Sequence, residues 1–151
     1  MNHFMMTPIE TAKNVMDVNY FGSLLCTRAF INLLKKAEHP RIVNFSSVAV
    51  PLNLEGELAY SSSKAAIENM TRVLAREAAN FRITVNAIGP NPVNTDLIRN
   101  VSEEKIAGLL ARQVIHRLGK FEDIINVIDF YLRPESDFIT GQVIYLGGVC
   151  R

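Results

Sequence analysis

The chain has 151 residues, with 48% hydrophobic and 21% charged side chains, which is the usual balance of a globular protein. This length suits one domain covering residues 1–151. The net charge of +1 argues against a dedicated nucleic-acid surface, and no apolar run approaches the roughly 20 residues of a membrane span. We therefore expect neither nucleic acid nor a membrane among its partners.

The cysteines and histidines indicate a reducing compartment and no metal site. Cys26 and Cys150 do not form the paired framework of a secreted protein, so we expect a cytoplasmic chain. Cys26 lies in an apolar helical stretch and is expected to be a small buried side chain. His3, His39 and His116 are too scattered in the sequence to suggest metal ligands.

The predicted elements alternate between helices and strands. In chain order they are a helix over about 8–37, a strand over 41–45, a helix over about 57–80, a strand over 83–88, a short helix from 102, a helix from about 122 to 133 and a strand over 142–146. The first helix is interrupted at Asn19 and Gly22, which are poor helix formers. A loop with Pro51, Asn53 and Gly56 precedes the second helix. Strands joined by crossover helices predict an α/β fold with about three parallel strands and flanking helices.

Polar and loop-forming residues follow two of the predicted strands. Ser46 and Ser47 come directly after the first strand, and the breaker run Gly-Pro-Asn-Pro at 89–92 follows the second. Because ligands bind at the carboxyl ends of parallel strands, we expect a functional site where these segments meet.

Tyr60 and Lys64 form a candidate acid–base pair. Residues four apart lie on the same face of a helix, and a nearby ammonium lowers the pKa of a phenol, which is otherwise near 10. A phenol tuned in this way can exchange a proton with a carbonyl or alcohol oxygen. By chance alone such a spacing arises with a probability of roughly one in six, so its context must decide.

Several stretches of the chain supply that context. They are 17–22 (Asp-Val-Asn-Tyr-Phe-Gly), 41–47 (Arg-Ile-Val-Asn-Phe-Ser-Ser), 60–64 (Tyr-Ser-Ser-Ser-Lys), 85–95 (from Val-Asn-Ala-Ile to Pro-Val-Asn-Thr) and 139–148 (from Ile-Thr-Gly-Gln to Gly-Gly). Their combination resembles the classical short-chain dehydrogenase/reductase (SDR) family, and most of all its 3-oxoacyl-[acyl-carrier-protein] reductases. The resemblance covers essentially the whole chain and implies the C-terminal part of a Rossmann-like doubly wound sheet.

The resemblance implies four catalytic residues. Tyr60 would be the general acid or base, and Lys64 would lower the pKa of Tyr60 and bind the nicotinamide ribose. Ser47, which precedes Tyr60 by 13 positions, would hold the substrate oxygen in preference to Ser46. Asn19 would hold a water that links Lys64 to solvent.

The same resemblance implies the cofactor and its contacts. The cofactor would be NADP or NAD, and Tyr60 and Lys64 would contact it. Pro90 would shape the nicotinamide loop, while Val93 and Thr95 would meet the carboxamide. Residues 94 to about 117 would form a lid over a small carbonyl or alcohol substrate.

Two features depart from the family pattern. The chain contains no G-x-G run, so the Gly-rich turn that binds pyrophosphate is absent from it. We therefore expect a chain truncated at its N-terminal side, with the strand at 41–45 as an exposed edge and with weak dinucleotide binding. Asn91 stands where the family usually has Gly, and we expect it to adopt a left-handed backbone.

The acidic residues before Tyr60 and the charged residues of the helix after it are expected mainly to contact solvent. Glu55 and Glu57 border the loop, where a solvated position is expected and a substrate contact stays open. The charged residues of the second long helix are expected to form one solvated face; they are Glu68, Arg72, Arg76 and Glu77.

The resemblance also implies assembly into a homodimer or homotetramer. The helices over about 8–37 and 57–80 would pack against their copies in a second subunit. Ala65, Ala66 and Ala75 would permit the close approach.

Two functional classes follow for the chain. The first is an NAD(P)-dependent oxidoreductase that reduces a carbonyl, including a 3-oxoacyl thioester, or oxidises a secondary alcohol. The second is a catalytically inactive fragment that keeps only folding and oligomerisation surfaces. The four catalytic residues favour the first, and the missing phosphate-binding turn favours the second.

Overall fold

The structure is a computed structural model that describes residues 3–95, 98 and 101–149. Its helices and strands are, in chain order, α1 (Ile9–Met16), α2 (Gly22–Leu34), β1 (Arg41–Phe45), α3 (Ala49–Leu52), α4 (Leu58–Glu77), β2 (Thr84–Gly89), α5 (Glu103–Leu110), α6 (Phe121–Leu132) and β3 (Val143–Tyr145). A π-helical turn, Asp17–Phe21, joins α1 to α2. The structure confirms the predicted α/β fold with three parallel strands and flanking helices.

The three strands form one parallel sheet in the order β1-β2-β3. Strand β2 lies in the middle, where Phe45 of β1 pairs with Ile88 and Tyr145 of β3 pairs with Gly89. Since the strands are parallel, all three carboxyl ends reach the same edge of the sheet. Every residue of β2 is buried, as a central strand between covering helices requires.

The main apolar cluster joins α4 and α2 to the sheet. Ala75 and Ala78 of α4 pack with Ile83 and Val85, and Ile31 and Leu34 of α2 lie against them with Ile42 and Leu74. Ala75 is only 6% exposed, so it packs inside the chain and is not available for the subunit contact expected of it. Ala65 and Ala66 are half-buried, and their role in assembly stays a prediction.

The structure corrects the local expectations at two places. The interruption predicted at Asn19 and Gly22 is a π-helical turn rather than a break, so the backbone remains helical through both residues. The loop after β1 contains a short helix, α3, which ends at Asn53 in a left-handed conformation with φ 48°. Pro51 lies inside this single turn, where a missing N–H costs little because a first-turn N–H has no helical partner.

Two surface features follow from the three-stranded sheet. Strand β1 pairs only with β2 among the described strands, so it is the edge that was predicted, and its Phe45 side chain is 45% exposed. Helix α2 presents Leu25, Phe30 and Leu33 to solvent. Cys26 on the same helix is exposed, which contradicts the expected buried position, because only part of α2 is covered by α4 and the sheet. Cys150 lies outside the described residues.

None of the helices in the described part of the chain has the length and apolarity to cross a bilayer. Within the same residues, no group of three or more His, Cys, Asp or Glu side chains is arranged to hold a metal ion.

Candidate active site

The carboxyl edge of the sheet carries a cleft of about 530 Å³. It lies between the end of β1, the start of α4 and the loop that follows β2. Six of the seven residues predicted to act at the site line it together: Ser47, Tyr60, Lys64, Pro90, Val93 and Thr95. The seventh, Asn19, does not line the cleft. The parallel sheet brings these segments to one edge although they are far apart in the sequence.

The hydroxyl of Tyr60 shares a side-chain hydrogen bond with Ser47. Burial raises the pKa of Tyr60, the Ser47 hydrogen bond lowers it, and the Glu57 carboxylate raises it further, so that the net direction is upward. A buried phenolate is poorly solvated, which explains why burial dominates. The spacing of Tyr60 and Lys64 predicts a lowered pKa for Tyr60, and in this structure that pKa is raised instead.

The position of the Lys64 amine explains why the pKa of Tyr60 is not lowered. This amine donates a 3.0 Å hydrogen bond to the Phe45 carbonyl and lies 5.7 Å from the centre of the Tyr60 ring. Burial lowers the pKa of Lys64, because the ammonium loses hydration. The amine is therefore held by the end of β1, within the same cleft as the phenol.

The two serines after β1 point to different partners. Ser47 accepts a hydrogen bond from the Ala49 amide at 3.2 Å and faces Tyr60. Ser46 donates to the carboxylate of Glu68 at 2.6 Å and is 3% exposed. Ser46 is thus held by Glu68 while Ser47 pairs with Tyr60, and the role of Ser47 in holding the substrate oxygen stays a prediction.

Asn19 reaches α4 through a serine and not through Lys64 directly. Its amide donates to Ser63 Oγ at 2.9 Å, and Ser63 Oγ donates to the Tyr60 carbonyl at 2.7 Å. Ser63 immediately precedes Lys64, so Asn19 lies beside the segment that carries Tyr60 and Lys64. The π-helical turn places Asn19 there, and such turns recur at functional sites. A water between Asn19 and Lys64 stays a prediction.

The loop after β2 is shaped by backbone hydrogen bonds. The Pro90 carbonyl accepts from the Val48 amide at 3.1 Å, and the Pro92 carbonyl accepts from the Gly119 amide at 2.8 Å. Val93 forms a bridge with Gly119. Thr95 is half-buried at the cleft. In the predicted lid, residues 96, 97, 99 and 100 lie outside the described part of the chain, and α5 follows with Ser102 capping it.

Asn91 does not have the left-handed backbone expected for it, since the residues with positive φ outside glycine are Asn53 and Arg82 among those described. Its side chain is buried and donates to Gln113 Oε1 at 3.2 Å and to the Arg117 carbonyl at 3.3 Å. Asn91 therefore holds the loop through its amide, and its backbone does not need the conformation that favours glycine.

Two acidic residues have roles that the sequence patterns did not indicate. Glu57 is half-buried and lines the cleft, and burial raises its pKa, whereas Glu55 is exposed. Glu68 is 0% exposed and so does not belong to the solvated helix face predicted for it. Of the other members of that face, Arg76 and Glu77 are exposed and Arg72 is half-buried. A polar partner more than 20 residues away, Ser46, holds Glu68 inside, and no helical periodicity signals that contact.

These residues fit the nicotinamide end of a dinucleotide. Hydroxyls from Ser47, Tyr60 and Thr95 and the amine of Lys64 face one cleft, which suits the ribose and carboxamide of such a group. The pyrophosphate would need a glycine-rich turn, and the sequence holds no G-x-G run to form it.

A parallel α/β sheet with Ser, Tyr and Lys converging at its carboxyl edge is the arrangement of Rossmann-type oxidoreductases. Comparison with known proteins specifies the family. A family model described as Enoyl-(Acyl carrier protein) reductase matches residues 1–148. The chain belongs to the short-chain dehydrogenase/reductase family.

The curated relatives are enzymes of this kind. The chain is 39% identical over 133 residues to the (2S)-[(R)-hydroxy(phenyl)methyl]succinyl-CoA dehydrogenase subunit BbsD of Thauera aromatica, covering 88% of this chain and 53% of that protein. It is 30% identical over 147 residues to the 3-oxoacyl-[acyl-carrier-protein] reductase FabG of Escherichia coli (strain K12), covering 97% of this chain and 60% of that one. The chain thus spans a little over half the length of these relatives.

Solved structures agree on the fold. The crystal structure of the 3-oxoacyl-[acyl-carrier protein] reductase from Brucella melitensis superposes with a TM-score of 0.90 at 28% identity, over 99% of this chain and 57% of that one. This confirms the predicted Rossmann-like sheet.

Proposed function

We propose that this chain carries the catalytic residues of an NAD(P)-dependent oxidoreductase that reduces a carbonyl, of the 3-oxoacyl thioester class, or oxidises a secondary alcohol. The observation that carries the proposal is the convergence of Ser47, Tyr60 and Lys64 in one cleft, with the Ser47 and Tyr60 hydroxyls hydrogen-bonded. The curated relatives support it, since those named above are dehydrogenases and reductases.

In reduction, the Tyr60 hydroxyl gives its proton to the substrate oxygen, and the Ser47 hydroxyl holds that oxygen in place. Lys64 lies beside the pair and offers an amine to a ribose hydroxyl. A nicotinamide dinucleotide, when bound, would supply the hydride, which together with the Tyr60 proton would convert a carbonyl to an alcohol. In oxidation both move in the opposite direction. Asn19 supports the start of α4 through Ser63.

A general acid of this kind contributes about 10²- to 10⁴-fold to the rate. Replacing Tyr60 with Phe removes the proton donor and keeps the ring, so we expect carbonyl reduction by the chain to fall by this factor. Tyr20→Phe is the matched control, because Tyr20 lies in the π-helical turn and does not line the cleft. Equal rates for Tyr60→Phe and the wild-type chain would contradict the mechanism.

The second function, an interaction module without turnover, is favoured by a different observation. Strand β1 is an edge and α2 exposes Leu25, Phe30 and Leu33, so the chain has apolar surface that suits another protein surface, including a second copy of itself. A fluorescence titration of the 151-residue chain with NADPH separates the two functions. We expect weak binding; binding with Tyr60-dependent turnover supports the enzyme, and no binding with a stable dimer or tetramer supports the module.

A further inference from the structure

Glu68 is a carboxylate buried behind the cleft. It lies one helical turn after Lys64 on α4 and is 0% exposed. Its Oε1 accepts hydrogen bonds from Ser46 Oγ at 2.6 Å and from the Tyr145 hydroxyl, and its Oε2 accepts from Arg72 at 3.2 Å. A buried carboxylate costs free energy unless such donors satisfy it, so these bonds hold the side chain in one place.

The bonds of Glu68 join three elements directly behind the catalytic side chains. Ser46 follows the last residue of β1, Tyr145 is the last residue of β3, and Glu68 itself belongs to α4. Ser46 lies between two residues that contact the catalytic pair. On one side the Phe45 carbonyl accepts from Lys64 at 3.0 Å, and on the other Ser47 bonds to Tyr60.

We propose that Glu68 is a positioning residue for the active site: it anchors Ser46 and thereby holds the Phe45 carbonyl on Lys64 and the Ser47 hydroxyl on Tyr60. This inference rests on the proposed function, because it assigns Tyr60 and Lys64 to the chemistry. Tyr145 completes the anchor from β3, two strands away from β1, since its hydroxyl donates to the same oxygen that Ser46 uses.

A second buried bond between the same strand and the same helix provides a matched control. Asn44 of β1 donates to Thr71 Oγ1 of α4 at 2.9 Å, and both residues are buried. This bond lies two residues before Ser46 on the strand, and neither partner lines the cleft. Losing it weakens the packing of β1 on α4 without releasing Ser47.

The test follows the ionisation of Tyr60 in the full 151-residue chain, by NMR titration of ¹³C-labelled tyrosine with the resonance assigned from Tyr60→Phe. In Ser46→Ala, Glu68→Gln and Tyr145→Phe we expect the pKa of Tyr60 to rise by roughly 0.5 to 1 pH unit, because the Ser47 hydrogen bond that lowers it is weakened. In Thr71→Val we expect no change. Among the residues that the structure describes, the charged side chains lining the cleft are Glu57 and Lys64, and both are the same in every variant.

The sign of the shift separates positioning from charge. If the Glu68 charge acted through space, its loss would stabilise the phenolate, so Glu68→Gln would lower the pKa of Tyr60 and the neutral change Ser46→Ala would leave it unmoved. That result overturns the proposal, as does an equal rise in Thr71→Val. If Glu68→Gln does not fold, Ser46→Ala and Tyr145→Phe decide alone.

The titration needs neither dinucleotide nor substrate, so it is independent of the proposed function. A chain without turnover would count against that function while the Tyr60 readout still decides the role of Glu68. If the wild-type chain reduces a ketone, we expect Ser46→Ala to lower kcat about 10-fold with little change in the Kd for NADPH, because only proton transfer is affected.

Discussion

Glu57 and Tyr60, at the start of α4, both line the cleft, and the Glu57 carboxylate is one of the groups that raise the pKa of Tyr60. Glu57 occupies the N-cap position of α4 without a side-chain capping hydrogen bond, and Tyr60 lies about one turn further on. The negative charge of Glu57 therefore acts on the phenol that carries the proposed proton transfer.

We expect Glu57→Gln to lower the pKa of Tyr60, because the carboxylate is one of the causes that raise it. The change keeps the size of the side chain and removes its charge. NMR titration of ¹³C-labelled tyrosine, with the Tyr60 resonance assigned from Tyr60→Phe, measures the effect, and Glu55→Gln, an exposed neighbour, is the control. An unchanged or higher pKa in Glu57→Gln would show that the carboxylate does not act on Tyr60.

Two glycines should respond in opposite ways to alanine. A Cβ at Gly89 would lie 2.3 Å from the ring of Tyr145, whereas a Cβ at Gly108 would meet nothing within 4 Å. We expect Gly89→Ala to destabilise the fold by about 1–3 kcal/mol through overpacking. We expect Gly108→Ala, inside α5, to stabilise it by about 0.5–1 kcal/mol because alanine favours the helix. Urea unfolding measures both values, and the same sign for both would contradict the packing at the end of β2.

The stability of the chain should depend on pH through Asp123, which lies at the start of α6. Arg117 donates two hydrogen bonds to this carboxylate, at 2.7 and 2.9 Å, and the Lys120 amide donates a third at 2.8 Å. The Arg117 guanidinium, and then the Lys120 amide, hold the pKa of Asp123 well below its usual range. A lowered folded pKa means that the stabilisation is present at neutral pH and is lost as the pH falls through that value.

We therefore expect Asp123→Asn to lower the urea midpoint at pH 7, with a difference from wild type that shrinks toward acid pH. Asp129→Asn, an exposed position on the same helix, is expected to change the midpoint little. A difference that stays constant from pH 7 to pH 3 would contradict the role of the charged pair.

Tyr131 should control stability at alkaline pH. Burial raises the pKa of Tyr131 from 10.0 to about 12, and its hydroxyl donates to the Ala87 carbonyl at 3.3 Å. The folded chain keeps this proton where the unfolded chain releases it, so stability falls as the pH rises from about 10 toward 12. We expect Tyr131→Phe to cost roughly 0.5–1.5 kcal/mol at pH 7 and to flatten this alkaline fall. Unfolding free energies at pH 7, 10 and 11 measure it, and equal slopes for the two chains would oppose the prediction.

The secondary structure was predictable because its causes are local. The strand predicted at 41–45 is β1, and β2 and β3 begin and end within one residue of the ranges predicted for them. The alternation of apolar runs, helical stripes and breaker residues determines these elements without any long-range contact. The single-turn helix α3 was missed because a four-residue stretch containing Pro51 has too few positions to show a period.

The buried polar groups were not predictable, because each depends on a partner distant in the sequence. The sequence pattern predicts that Glu68 belongs to a charged helix face. Hydrogen bonds from Ser46, 22 residues away, and Tyr145, 77 residues away, instead hold its side chain inside the fold. The sequence predicts that Asn91 replaces a glycine in a left-handed backbone conformation. Its side-chain amide instead donates a hydrogen bond to Gln113. Ala75 was predicted to be a small surface residue at a subunit contact, but it packs in the same buried apolar cluster as Val85.

The sequence by itself determined the order of the elements, the family and the residue types of the site, since the spacing of Ser47, Tyr60 and Lys64 is a local property of one segment. Only the tertiary structure decided how these side chains are held. The Phe45 carbonyl accepts a hydrogen bond from the amine of Lys64, and burial and Glu57 raise the pKa of Tyr60. Glu68 accepts a hydrogen bond from Ser46 and so anchors the end of β1. The physical reason is that hydrogen-bond geometry and desolvation depend on which groups the parallel sheet brings to its carboxyl edge, and no single segment specifies that meeting.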